Sequence, residues 1–152
     1  MAVQVGAQAP DFALRNQHGE TVRLADYRGK QAVLVMFYPW AFSSTCGSEL
    51  HQLQERLGEF QNEDLAVLGV SCDAMYALRA YADAQGFEFP LLADSWPHGG
   101  VATAYGVFDE KAGAALRGTF LVDADGVVRW SVVNGIGEAR DLDDASKAVA
   151  AL

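Results

Sequence analysis

The sequence predicts an α/β fold: a mixed central sheet flanked by helices, with a short β-hairpin at the amino terminus. Three observations carry this. Ala32-Val33-Leu34-Val35-Met36-Phe37-Tyr38 is apolar at both alternating sets of positions, as a strand covered by helices on both faces should be. Runs of this kind alternate with segments of helical spacing through the first part of the chain. Late in the chain, Asp125-Gly126 stands between two further apolar runs, a strong hairpin signal.

In chain order, Pro10 to Leu14, the turn residues Gln17-His18-Gly19, and Thr21 to Leu24 form the opening hairpin. Ala32 to Tyr38 follows as the central strand, and Pro39 ends it because proline has no N–H for a ladder. From Gly47 to Gln61, Leu50, Leu53, Leu57 and Phe60 recur on one face, which predicts an amphipathic helix. Leu65 to Val70 is a second buried strand. Leu78, Tyr81 and Ala82 mark a second helix stopped by Gly86. Leu91-Leu92 is a short third strand. Thr119 to Val122 and Val127 to Val133 are the arms of the late hairpin. Asp141 to Leu152 closes as a helix with Leu142, Ala145, Val149 and Leu152 on one face. The order is the outline of a thioredoxin-like fold, although order alone also admits other α/β sandwiches.

The 152 residues suit one domain, taken as 1–152, with enough chain to bury a core without disulfide staples. A hydrophobic fraction of 51% and a charged fraction of 20% describe a globular chain rather than a disordered one. The formal net charge of −9 disfavours nucleic acid and anionic membrane surfaces as partners, so any attraction for an anion must be local. Two cysteines, Cys46 and Cys72, do not make a secreted disulfide scaffold. The amino terminus lacks the basic flank and apolar run of a signal peptide, and no apolar stretch reaches membrane-spanning length. The expectation is a cytoplasmic, reducing compartment.

Tyr38-Pro39-Trp40-Ala41-Phe42-Ser43-Ser44-Thr45-Cys46-Gly47 is a junction from buried strand to helix, where open α/β folds place their ligands. Cys46 lies near the helix start, where free N–H groups and the macrodipole favour a thiolate, the nucleophilic form. Ser43, Ser44 and Thr45 are all capping residues. A cap at Ser43 would put Cys46 at the third helical position, with the Ser43 hydroxyl able to reach the sulfur and an incoming oxygen. Pro39 can shape the pocket floor without adding a donor. The alternative is that Cys46 is a small buried hydrophobe, as free cysteines often are.

The spacing Pro39-x-x-x-Ser43-x-x-Cys46 resembles the signature of peroxiredoxins. Gly6-x-x-Ala9-Pro10-Asp11-Phe12, Leu24 through Lys30, and Phe89 to Asp94 are similar to further landmarks of that family. Arg117-Gly118-Thr119-Phe120-Leu121-Val122-Asp123 resembles the segment that supplies its active-site arginine. Trp96-Pro97-His98-Gly99 and Tyr105-Gly106-Val107-Phe108 point to the one-Cys, alkyl hydroperoxide reductase E-like subgroup. The resemblance covers nearly the whole chain. It implies reduction of hydrogen peroxide and organic hydroperoxides by Cys46, which becomes a sulfenic acid. Arg117 would stabilise the charge on the reacting atoms, and Ser43 with the Cys46 N–H would hold the peroxide oxygens. Glu49 either orients an arginine by an ion pair or is a solvated helix glutamate. Without the resemblance, Arg117 reads as a surface arginine at a strand edge.

A resolving cysteine is the next expectation. Some relatives carry one five residues after the nucleophile, where this chain has His51; others carry one in a carboxy-terminal arm, where this chain has none. Cys72 remains, and its expected role is structural. The sulfenic acid would then meet an external thiol or redoxin; for actinobacterial relatives that implies mycothiol and mycoredoxin, with a thioredoxin-like reductant as the alternative. A homodimer formed near the Cys46 loop is also implied. Trp40 and Phe42 are either core residues or an exposed apolar edge. His18, His51 and His98 are scattered, with no spacing typical of a metal site, and no cofactor is expected. Gly135-Ile136-Gly137 is too little for a phosphate cradle.

Overall fold

The computed structural model describes residues 2–152. The opening hairpin forms from β1 (Ala13–Arg15) and β2 (Thr21–Arg23), paired antiparallel. Leu24 does not extend β2 as the sequence suggested. It begins a 3-10 turn, Leu24–Tyr27, and is itself buried. The central strand is β3 (Ala32–Phe37), buried at every position. Tyr38 lies just past it, although its N–H still reaches Val70 O at 3.0 Å.

The first helix differs from the sequence expectation at both ends. α1 spans Ser44–Glu55, and a separate turn, α2 (Leu57–Phe60), follows a break at Arg56. The start moves forward because Ser43 caps it, and the first helical bond runs from Gly47 N–H to Ser43 O at 2.8 Å. The break falls beside Gly58, a poor helix former, and it turns Phe60 into the core.

β4 (Leu65–Ser71), α3 (Met75–Gln85) and β5 (Leu91–Ala93) follow. Gly86 ends α3 in the left-handed region at φ +74°, a conformation glycine adopts without steric cost. Two elements go unannounced in the sequence: the short helix α4 (Gly100–Ala104), and a small ribbon of β6 (Phe108–Asp109) with β7 (Ala114–Ala115). β8 (Arg117–Val122) and β9 (Val128–Asn134) form the late hairpin around Gly126, and α5 (Leu142–Ala150) closes the fold. Leu142 and Ala145 of α5 are buried, but Leu152 lies beyond the helix and is 56% exposed, not part of the buried face.

The main sheet has seven strands in the order β2-β1-β5-β4-β3-β8-β9. β3, β4 and β5 run parallel, and β8 runs antiparallel to β3. The alternation along β3 divides the core. Leu34 and Met36 pack with α1, α3 and α5 on one face; Val33, Val35 and Phe37 pack with Leu24, α4 and Phe120 on the other. The antiparallel register fixes the position of Arg117. Met36 pairs with Thr119, so β8 begins, at Arg117, beside the end of β3 where α1 starts. Among the described residues, no helix is long and apolar enough to cross a membrane.

Candidate active site

Cys46 sits at the third residue of α1, fully buried. The Ser43 Oγ accepts a hydrogen bond from the Cys46 N–H at 3.2 Å. Ser43 has extended backbone angles and caps the helix. The cap therefore occupies the N–H that the resemblance assigned to peroxide, and leaves the hydroxyl proton of Ser43 to be donated elsewhere. Pro39 is buried two residues past the end of β3.

Arg117 is not a surface arginine. It is 2% exposed, and its Nη1 donates to Cys46 Sγ at 3.2 Å. The same nitrogen donates to Glu49 Oε1, and Nε donates to Ile136 O at 2.8 Å. Glu49 and Ile136 thus hold the guanidinium on the sulfur. The neighbouring Gly118 has a structural reason: a Cβ there would meet Val107 Cγ1 at 2.9 Å. A larger residue would push the start of β8, and Arg117 with it, off its support.

Glu49 is 3% exposed, so it is not a solvated helix glutamate. One carboxylate oxygen receives Arg117. The other receives both the N–H and the Nε of Arg140, at 2.7 and 2.8 Å. Arg140 was not singled out in the sequence. It lies just before α5, in a segment without periodicity, and no local pattern announces it. It is also buried. Its Nη1 donates to Thr119 Oγ1 at 2.9 Å, and its Nη2 donates to Phe37 O. The ladder of β3 with β8 ends at Met36 and Thr119, so Arg140 takes up a strand-end carbonyl that needs a donor. Burial draws the Arg140 pKa down, and Glu49 opposes that shift.

The loop from β3 to α1 has its own supports. Asp73 Oδ2 accepts from the Ala41 N–H at 2.9 Å and from Ser71 Oγ at 2.7 Å. Phe42 holds the left-handed region at φ +67°, uncommon for a side chain of that size. Its ring lies 4.7 Å from that of Tyr81. Trp40 and Phe42 are 42% and 59% exposed, so they form an exposed apolar edge rather than core. Gly135-Ile136-Gly137 acts here through the Ile136 carbonyl that holds Arg117.

The remaining candidates stand apart. Cys72 is half-buried, less so than expected. Burial and the charges of Asp94 and Asp73 push its thiol up to about 11. Cys72 lies next to Ala115, which belongs to the core cluster on the face of the sheet opposite the one that holds Cys46. His51 points outward to Gln85 at 2.6 Å. A cleft of about 780 Å³ opens at the other end of the sheet, by Lys30, Asp64, Arg129 and Trp130, away from these residues.

The chain matches the model of the AhpC/TSA family over residues 5–131. It is 48% identical over 150 residues to alkyl hydroperoxide reductase E of Mycobacterium tuberculosis, covering 99% of this chain and 98% of that one. The crystal structure of reduced 2-Cys peroxiredoxin from Plasmodium vivax superposes with a TM-score of 0.88 at 28% identity, covering 98% of this chain and 81% of that one. The AhpC structure from Enterococcus faecalis gives a TM-score of 0.86 at 32% identity, covering 99% and 92%.

Proposed function

The chain belongs to the AhpC/TSA family of peroxiredoxins, and from that premise we propose that Cys46 is the nucleophile of a one-Cys peroxidase cycle. The protein is a thiol-dependent peroxidase with a thioredoxin-like fold, taking a peroxide as substrate and a thiol as reductant.

The observation that carries the assignment is the 3.2 Å contact between Arg117 Nη1 and Cys46 Sγ in a buried site. Two guanidinium groups face one carboxylate there, leaving one positive charge to be balanced. A Cys46 thiolate balances it, which avoids an uncompensated buried charge. The thiolate attacks one oxygen of the hydroperoxide in line with the O–O bond. The S–O bond forms, the O–O bond breaks, and the leaving oxygen departs with the electron pair and a proton as alcohol or water. Arg117 is aimed at the charge that moves onto oxygen during this step. The Ser43 hydroxyl holds an incoming oxygen, and Pro39 walls the pocket. Glu49 orients Arg117. The sulfur is sealed from solvent, so peroxide reaches it through a local opening of the structure.

Resolution comes from outside the chain, by a thiol or a redoxin. Cys72 lies by Ala115, a residue of the core cluster on the opposite face of the sheet from the cluster that holds Cys46, and a disulfide needs Cα atoms within about 7 Å of each other. The raised pKa of Cys72 also keeps it a poor nucleophile. Two unpaired cysteines fit a reducing, cytoplasmic setting. Exposed Trp40 and Phe42 beside the site support a homodimer at this end. Residues 1–152 act as one domain.

Mass spectrometry after one equivalent of hydrogen peroxide tests the cycle. The expected result is gain of one oxygen on Cys46, retained in Cys72→Ser and absent in Cys46→Ser. Loss of two hydrogens in the wild-type chain would instead establish an intramolecular disulfide and overturn the one-Cys reading.

A further inference from the structure

A buried hydroxyl without a partner is costly, and each such group in a native fold calls for an explanation. Among the described residues, two buried side-chain groups lack any partner, and both are tyrosine hydroxyls: Tyr38 and Tyr81. Each residue is 1% exposed, and both belong to the buried cluster that contains Cys46. Ser71 comes near the Tyr38 hydroxyl, and the Phe42 backbone comes near that of Tyr81, without completing a hydrogen bond.

Tyr81 is the better placed of the two. It reaches from α3 to the first turn of α1, where its hydroxyl lies 3.6 Å from the position a Cβ on Gly47 would occupy. Gly47 directly follows Cys46. The ring is held in place by Phe42 at 4.7 Å and Phe87 at 5.3 Å between centroids. Burial, and next the charge of Cys46, push the phenol up to about 12. The group is therefore a protonated donor at neutral pH.

We propose that Tyr81 is a positioning residue for the oxidised enzyme: its hydroxyl, unpartnered while Cys46 is reduced, donates a hydrogen bond to the oxygen that peroxide leaves on the Cys46 sulfur. This rests on Cys46 being the nucleophile.

The sulfenate has two fates, and the hydrogen bond acts on them with opposite sign. In the first, the sulfenate sulfur attacks a second hydroperoxide. A second S–O bond forms, the O–O bond breaks, and sulfinate and another molecule of alcohol or water result. A donor on the sulfenate oxygen draws electron density from sulfur and slows this step. In the second, an external thiolate attacks the sulfenic sulfur. The S–S bond forms, the S–O bond breaks, and the oxygen leaves as hydroxide. A donor on that oxygen stabilises the departing charge and speeds this step. Tyr81 thus favours recycling over irreversible oxidation.

Tyr81→Phe tests this, because it keeps the ring and removes only an unpaired hydroxyl, a change that does not destabilise the fold. Hydrogen peroxide and 2-mercaptoethanol serve as probes, with oxygen gain on Cys46 followed by mass spectrometry. Oxidation of sulfenate to sulfinate is expected to speed up about tenfold, and reduction of sulfenate by the thiol to slow about tenfold. Both rates unchanged within about twofold would overturn the proposal. So would a change of both in the same direction, which is the signature of a loosened pocket. If no oxygen appears on Cys46 in either protein, the failure lies in the assignment of the nucleophile itself.

Discussion

Two cysteines of one chain differ here by their surroundings rather than by their own chemistry. Cys46 faces a guanidinium at 3.2 Å and a capped helix start. Cys72 is half-buried beside Asp73 and Asp94, and burial with those charges lifts its thiol from 9.0 to about 11. The sign is simple: below the raised value Cys72 is a thiol, and its thiolate fraction grows only as the pH climbs toward it. In Cys46→Ser, Cys72 should carry about a hundredfold less thiolate than a free cysteine at about pH 8. Alkylation by iodoacetamide followed against pH checks this. The rate should still be rising near the raised value, and a plateau below 9.0 would contradict the burial argument.

At the scale of the element, the start of α1 joins stability to chemistry. Ser43 ends the loop, caps the helix and stands beside the nucleophile, all through one hydroxyl. Ser43→Ala should lower unfolding stability by about 1 kcal/mol, read from urea denaturation. It should also slow peroxide consumption about tenfold or more, by loss of a donor at the reacting oxygen. Ser43→Thr should restore both, since threonine also caps; a variant that loses activity with unchanged stability would separate the two roles. The sequence offered three capping residues in a row and could not choose among Ser43, Ser44 and Thr45. The choice depends on where the loop from β3 is pinned, and Asp73 pins it at Ala41.

Across the whole molecule, Glu49 ties three distant parts together: α1, the start of β8 through Arg117, and the approach to α5 through Arg140. All three side chains are buried. Removing the carboxylate charge leaves two guanidinium groups with the Cys46 thiolate alone as counter-charge, and breaking a buried pair in this way typically costs about 3–5 kcal/mol. Glu49→Gln should therefore destabilise the fold by about 3 kcal/mol or more and displace Arg117 from the sulfur. Chemical denaturation and the rate of thiol loss with peroxide measure the two effects. A stability loss no larger than that of the Ser43→Ala cap deletion would mean that the network is weaker than its burial implies.

Local pattern determined much of this protein. Unbroken apolar runs marked β3 and β4, and the two runs either side of Asp125-Gly126 marked β8 and β9; helical spacing marked the faces of α1 and α3, and Gly86 marked the stop of α3. The junction around Cys46 was legible because a proline, capping hydroxyls and a cysteine fall within a single short segment. What stayed hidden was whatever depended on distant parts of the chain. Periodicity does not report that α1 breaks at Arg56, or that a short helix forms at Gly100–Ala104. Spacing alone does not distinguish a surface arginine from one laid on a sulfur, and nothing local marks Arg140 at all. The place of Arg117 follows from the antiparallel placement of β8 beside β3, which brings it to the carboxyl end of the central strand. The sequence by itself determined the strands of the main sheet, the faces of the longer helices and the candidate nucleophile. Only the tertiary structure decided which charges surround that nucleophile, because a buried ion network is made by elements far apart in the chain and packed close in space.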